Sequence, residues 1–164
     1  MNPGQKVLEK LSLGFQKRPK GPDDYVFRCR HEGFTFKIKV TDTDRYSLFL
    51  NSLQLKTSPA SKHSLDELTA WAKAIVDQIT YLREDLQIVE HDAHSTRVQL
   101  RSSVPRETDS DISFYEMILI GSGTLTLVRY QFDKSQKTTS MVPFDLTKEI
   151  FKELIKDLTS ILKA

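Results

Sequence analysis

ISFYEMILIGSGTLTLVRYQF, residues Ile112 to Phe132, is the densest run of β-formers in the chain, and Gly121, Ser122 and Gly123 interrupt it once near its middle. It predicts the central hairpin of a sheet. Both alternating sets are largely apolar, with Phe114, Ile118 and Ile120 on one parity and Tyr115, Met117 and Leu119 on the other. Neither side is written for water, so the rest of the chain, or a partner, has to cover it. A two-residue turn at Ser122-Gly123 would pair Ile120 with Leu125, Ile118 with Leu127, Met117 with Val128 and Tyr115 with Tyr130, and would set Glu116 against Arg129. A three-residue turn would instead oppose Glu116 to Val128 and Tyr115 to Arg129. The first is expected, because every one of its cross-strand pairs is compatible.

Downstream, a polar turn at Asp133 to Gln136 leads to a short last strand, Thr138 to Val142, stopped by Pro143. Asp145 is the expected cap of a closing helix whose stripe is Leu146, Ile150, Leu154, Leu158 and Ile161. Upstream, Val104 to Asp111 reads as an exposed, mobile charged loop. Before it, Leu86 to His91 and Ser95 to Ser102 predict a hairpin across Asp92, Ala93 and His94. Leu86 would meet Leu100 and Ile88 would meet Val98, while Arg97, Gln99 and Arg101 face outward.

A helix precedes that hairpin. Ser64 and Glu67 have the spacing of a capping box, and Leu65, Leu68, Ala72, Ile75, Ile79 and Leu82 follow at steps of three and four. Trp71 lies beside this stripe and reads as a core or edge residue. Thr57 to His63 is a polar connector.

The first part of the chain predicts a helix capped by Asn2 with Pro3 at its first position, burying Val7, Leu8, Leu11 and Phe15 and ending at Gly14. Lys17 to Pro22 is a connector. Asp24 to His31 and Phe34 to Thr41 then pair around Glu32-Gly33, which sets Cys29 opposite Phe36, Phe27 opposite Ile38 and Tyr25 opposite Val40. After a turn at Asp42 to Asp44, Tyr46, Leu48 and Leu50 would meet Val40, Ile38 and Phe36. The apolar parity changes at Asn51-Ser52, which predicts a bulge or the strand end there.

The resulting order is helix, three strands, helix, five strands, helix. That is an α+β fold with about eight strands in a mostly antiparallel sheet, whole or in two half-sheets, with the helices on one side. At 164 residues the chain fits one domain, 1–164, and 38% hydrophobic with 28% charged residues is the composition of a globular protein. No apolar run approaches the roughly 18 residues of a membrane span, and the N-terminus lacks the apolar core of a signal peptide. A cytoplasmic location is expected. The single cysteine, Cys29, sits on an apolar parity and reads as a small buried hydrophobe.

The net charge of +2 is unevenly spread. Residues 1–62 hold twelve Lys and Arg against six Asp and Glu, whereas residues 63–164 hold twelve against sixteen. The basic excess therefore lies in the first part of the chain, where Arg28, Arg30, Lys37 and Lys39 share the polar face of the first hairpin and Lys17, Arg18 and Lys20 precede them. Phe49 falls on the same parity. These five residues, Arg28, Arg30, Lys37, Lys39 and Phe49, are the candidate partner-binding set. A solvated face with no ligand is the plain alternative, since salt near 0.15 M screens charges over about 8 Å. Binding of nucleic acid by an open sheet would also want several aromatics among the cations.

No stretch carries a catalytic or nucleotide signature. His91, Asp92 and His94, beside Glu90, are weak metal candidates, short of the ligand set that zinc sites use. Gly121 to Thr124 has neither the lysine nor the following helix of a phosphate loop. The order of elements across most of the chain resembles that of the small class I secretion chaperones, α+β proteins that pair into homodimers and hold an extended client segment. The resemblance implies a non-enzymatic interaction protein, chaperone- or adaptor-like, with a protein partner or self-association. Nucleic-acid or other polyanion binding through the basic hairpin is the alternative; no cofactor or membrane association is expected, and the sequence allows no small-molecule site to be inferred.

Overall fold

A computed structural model describes residues 2–19, 21, 23–57 and 62–163. The three amphipathic stripes form helices α1 (Pro3–Lys17), α2 (Leu65–Gln78) and α3 (Lys148–Lys163). The strands are β1 (Tyr25–His31), β2 (Phe34–Thr43), β3 (Ser47–Thr57), β4 (Leu86–Asp92), β5 (Arg97–Ser102), β6 (Arg106–Glu107), β7 (Asp111–Ile120), β8 (Thr124–Asp133), β9 (Thr138–Val142) and β10 (Phe144–Thr147). They make one antiparallel sheet with the path β1-β2-β3-β8-β7-β5-β4. The fold is mixed α+β, with the helices packed on one side of the sheet. No described helix is long and apolar enough to cross a membrane.

Helix α1 begins as expected, with the Asn2 side chain accepting the Gly4 N–H at 2.7 Å. It does not end at Gly14. The helix runs through that glycine to Lys17, and Arg18 turns extended because Pro19 follows it. Gly14 serves packing instead, since a Cβ there would overlap the Tyr25 hydroxyl. At Gly4 the space is filled by the backbone of Lys152, so α1 and α3 cross in close contact.

The capping box of α2 is present in both directions between Ser64 and Glu67. Ser64→Ala is expected to lower stability by about 1 kcal/mol, read as a lower urea midpoint. The helix stops at Gln78, so Ile79 and Leu82 are buried from the connection beyond it. Trp71 is 6% exposed and lies in the core, its ring 4.6 Å from that of His63. Most of the connector before Ser64 lies outside the described residues.

The β1–β2 register is the expected one, with Glu32 and Gly33 both at positive φ in the turn. The third strand is displaced from expectation. Leu50 pairs with Val40, but Leu53 and Leu55, not Leu48 and Leu50, meet Ile38 and Phe36. Asn51 is the extra residue of one bulge and Thr41 that of a second, so apolar side chains of both parities in β3 reach the same core.

The central hairpin takes the three-residue turn, not the expected two-residue one. Tyr115 pairs with Arg129 and Glu116 with Val128, and Glu116 therefore does not face Arg129. Gly123 adopts φ +84 and its N–H bonds the Ile120 carbonyl, the geometry in which a glycine closes a three-residue loop. The β4–β5 hairpin also departs from expectation. Ile88 meets Leu100 and Leu86 meets Ser102, because the turn is longer and Val89 is bulged. The segment after Val104 is less free than expected, since β6 pairs with β7 and Lys134 Nζ bonds the Thr108 carbonyl at 2.8 Å.

Pro143 ends β9 but not the sheet. β10 follows at once and pairs with β3, so Asp145 is a strand residue opposite Phe49 and does not cap α3. Thr147 Oγ1 accepts the Ile150 N–H at 3.1 Å and takes that role. β8 pairs with β3 only over Thr124 to Leu127 and with β9 over Arg129 to Asp133. The two long strands fork there, and β9 and β10 fill the gap between them.

Candidate functional site

The inward parities of the sheet, including Phe36, Ile38, Leu55, Met117, Leu119 and Leu127, are fully buried under the helices. The first three strands do not curl over the central hairpin. They extend the same sheet, so the outward parity of all these strands forms one face that no second layer of the described residues covers. Its hairpin half is half-buried by its own neighbours. The Phe114 and Tyr130 rings lie 5.9 Å apart, and the Arg101 guanidinium is 5.3 Å from the Phe114 ring. Gln99 and Glu116 hydrogen-bond between β5 and β7 on the same side.

The basic half is built by the β1–β2–β3 register. Arg28 stands opposite Lys37, Lys39 opposite Ser52, and Arg30 opposite Thr35, whose partner on β3 is Lys56. Lys56 thus joins the four expected cations, a residue that sequence reading missed because the bulges hide its parity. None of the five side chains is in an ion pair among the described residues. Phe49 is not among them. It lies beyond the bulges and its register partners are Asp42 and Asp145. Of the expected lead-in cations, Lys17 ends α1, Arg18 folds back over the Phe15 ring at 3.4 Å, and Lys20 lies outside the described residues.

The weak metal candidates do not converge. Asp92 Oδ1 accepts the N–H groups of His94 and Ser95 at 3.0 and 3.2 Å, which turns its carboxylate into its own loop. The Ser95 side chain and N–H, with His94, hold its pKa below the usual carboxylate value. His91 Nδ1 lies instead 3.2 Å from Thr69 Oγ1. Burial raises the Cys29 pKa, with Lys10 opposing, which favours the neutral thiol.

A second polar region was not legible in the sequence. Glu84, in the connection before β4, and Arg129 on β8 form a bidentate pair at 2.8 and 3.2 Å, their side chains only 9% and 7% exposed. Ser102 Oγ also donates to Glu84 and accepts the Tyr115 N–H, and the Arg129 guanidinium lies 4.4 Å over the Tyr115 ring. No local spacing announces a pair so distant in sequence. Compared with protein-family models, curated proteins and solved structures, the chain shows no match.

Proposed function

We propose that the protein is a non-enzymatic, chaperone- or adaptor-like binding module of the cytoplasm that takes an extended acidic segment of another protein across the basic half of its uncovered sheet face. The observation that supports this reading is the set of five cations, Arg28, Arg30, Lys37, Lys39 and Lys56, on neighbouring strands with no ion-pair partner among the described residues. Like charges opposite each other, as at Arg28 and Lys37, cost roughly 0.2–1 kcal/mol per pair. An acidic segment would remove that cost, and a neighbouring strip of half-buried apolar side chains offers it further contact.

Lys37→Glu separates this role from a merely structural one. It converts a like-charged cross-strand pair into an opposite one, so the fold should gain roughly 0.2–1 kcal/mol. Binding of a fluorescent Glu-rich peptide should meanwhile weaken roughly tenfold when Arg28→Glu is added, because attraction is replaced by repulsion at two positions. A peptide that binds wild type and the double variant equally, or neither at low salt, would dismiss the reading.

Nucleic acid is the second reading, favoured by one observation. The sheet is continuous, so Phe114, Tyr130 and Phe132 share the outward face with the cations, where the sequence had offered only Phe49. Titration with labelled single-stranded RNA should then show affinity that falls steeply with salt and on Phe114→Ala. Salt-insensitive or absent binding would remove it.

A further inference from the structure

On the opposite parity from Phe114 and Tyr130, where β7 and β8 run past the helices, lies a cleft of about 250 Å³. Three arginines line it. Arg106 enters from β6, beside its register partner Ser113; Arg129 lies on its floor; Arg83 enters from the connection after α2. Gln131 and Asp145 complete its polar wall. Arg83 Nη2 bonds Asp145 Oδ1 at 2.9 Å, and Arg129 is fixed by Glu84. Arg106 has no ion-pair partner among the described residues.

Three guanidiniums face the carboxylates of Glu84 and Asp145, and the Gln131 amide donates to a third carboxylate, Asp111, at 2.8 Å. Among the described residues only two of the five N–H groups of Arg129 are used, both by Glu84. The cleft thus combines one guanidinium, Arg106, with no ion-pair partner among the described residues, two more held in place by Asp145 and Glu84, and a volume just under the roughly 300 Å³ at which small-molecule sites begin. A guanidinium fork matches a carboxylate in both geometry and charge. We propose that this cleft binds a small monocarboxylate, held chiefly by Arg106, at a site separate from the outward sheet face.

Benzoate and inorganic phosphate serve as probes in calorimetric titrations at constant ionic strength. Benzoate is expected to bind with Kd of roughly 1 mM and to weaken roughly tenfold in Arg106→Gln, a variant of an exposed residue on a two-residue strand. Asp145→Asn, which removes a carboxylate charge from the cleft wall, should tighten it. Lys37→Glu, on the other face, should leave benzoate binding unchanged, so failure here is distinguishable from failure of the outward-face reading. Absence of benzoate binding, tighter binding of phosphate than of benzoate, or affinity indifferent to Arg106→Gln would each overturn the proposal.

Discussion

Glu84→Ala is expected to destabilise the fold by about 3–5 kcal/mol, the usual cost of stripping one partner from a buried ion pair. Arg129 would remain 6% exposed, over the Tyr115 ring, with a full charge and no counterion. The loss of Glu84 would also leave the Ser102 hydroxyl without its acceptor. Removing both charges is a different matter. A Glu84→Ala, Arg129→Met double variant should recover much of the loss, because the desolvation that the pair itself pays disappears with it. Urea unfolding with an unchanged slope measures both effects. A loss below about 1 kcal/mol in the single variant would place water at Arg129 and make the pair one of the weak surface kind.

Gly4→Ala carries the second large effect, and its sign is informative. Helix propensity alone favours alanine over glycine, by about 1 kcal/mol in a helix interior and by less at Gly4, the second residue of α1. The added Cβ, however, would fall on the backbone of Lys152, which no rotamer change can move aside. Helices α1 and α3 would have to separate, at the roughly 1–3 kcal/mol typical of overpacking. Net destabilisation by thermal or urea unfolding is the expected result. A stabilised variant would mean that the two helices slide apart freely, and that the crossing at Gly4 is not a constraint.

Alternation and helical spacing made the element types legible, together with the β1–β2 register and the Ser64 capping box. Registers were lost wherever a residue was inserted without a chemical mark. Thr41 and Val89 each shift a pairing, and nothing in their side chains distinguishes them from ordinary strand residues, whereas the bulge at Asn51 is the one that the change of apolar parity predicts. The central hairpin was misjudged for a related reason. Glu116 opposite Arg129 is the better local pair, but Arg129 is satisfied by Glu84 from outside the hairpin. Pro143 reads as a stop because it cannot donate to a ladder. Here it marks the point where the chain leaves β8 and joins β3.

The candidate site divides in the same way. The hairpin cations share a face because β1 and β2 are adjacent in sequence, and simple alternation finds them. Lys56 joins them only through a bulged register, and the aromatic rings beside them only through the β3–β8 pairing. The arginine cleft draws on β6, β8 and the connection after α2, and leaves no trace in any window of sequence.

The gap between β3 and β8, closed by β9 and β10, bears on how quickly the native state can form. Adjacent hairpins zip from nearby residues, whereas Phe144 to Thr147 must find Ser47 to Leu50 across most of the chain's length. Such distant closures slow folding far more than they alter its equilibrium. During synthesis β3 emerges long before β10 exists, leaving an unguarded edge on the nascent chain until Phe144 to Thr147 have left the ribosome.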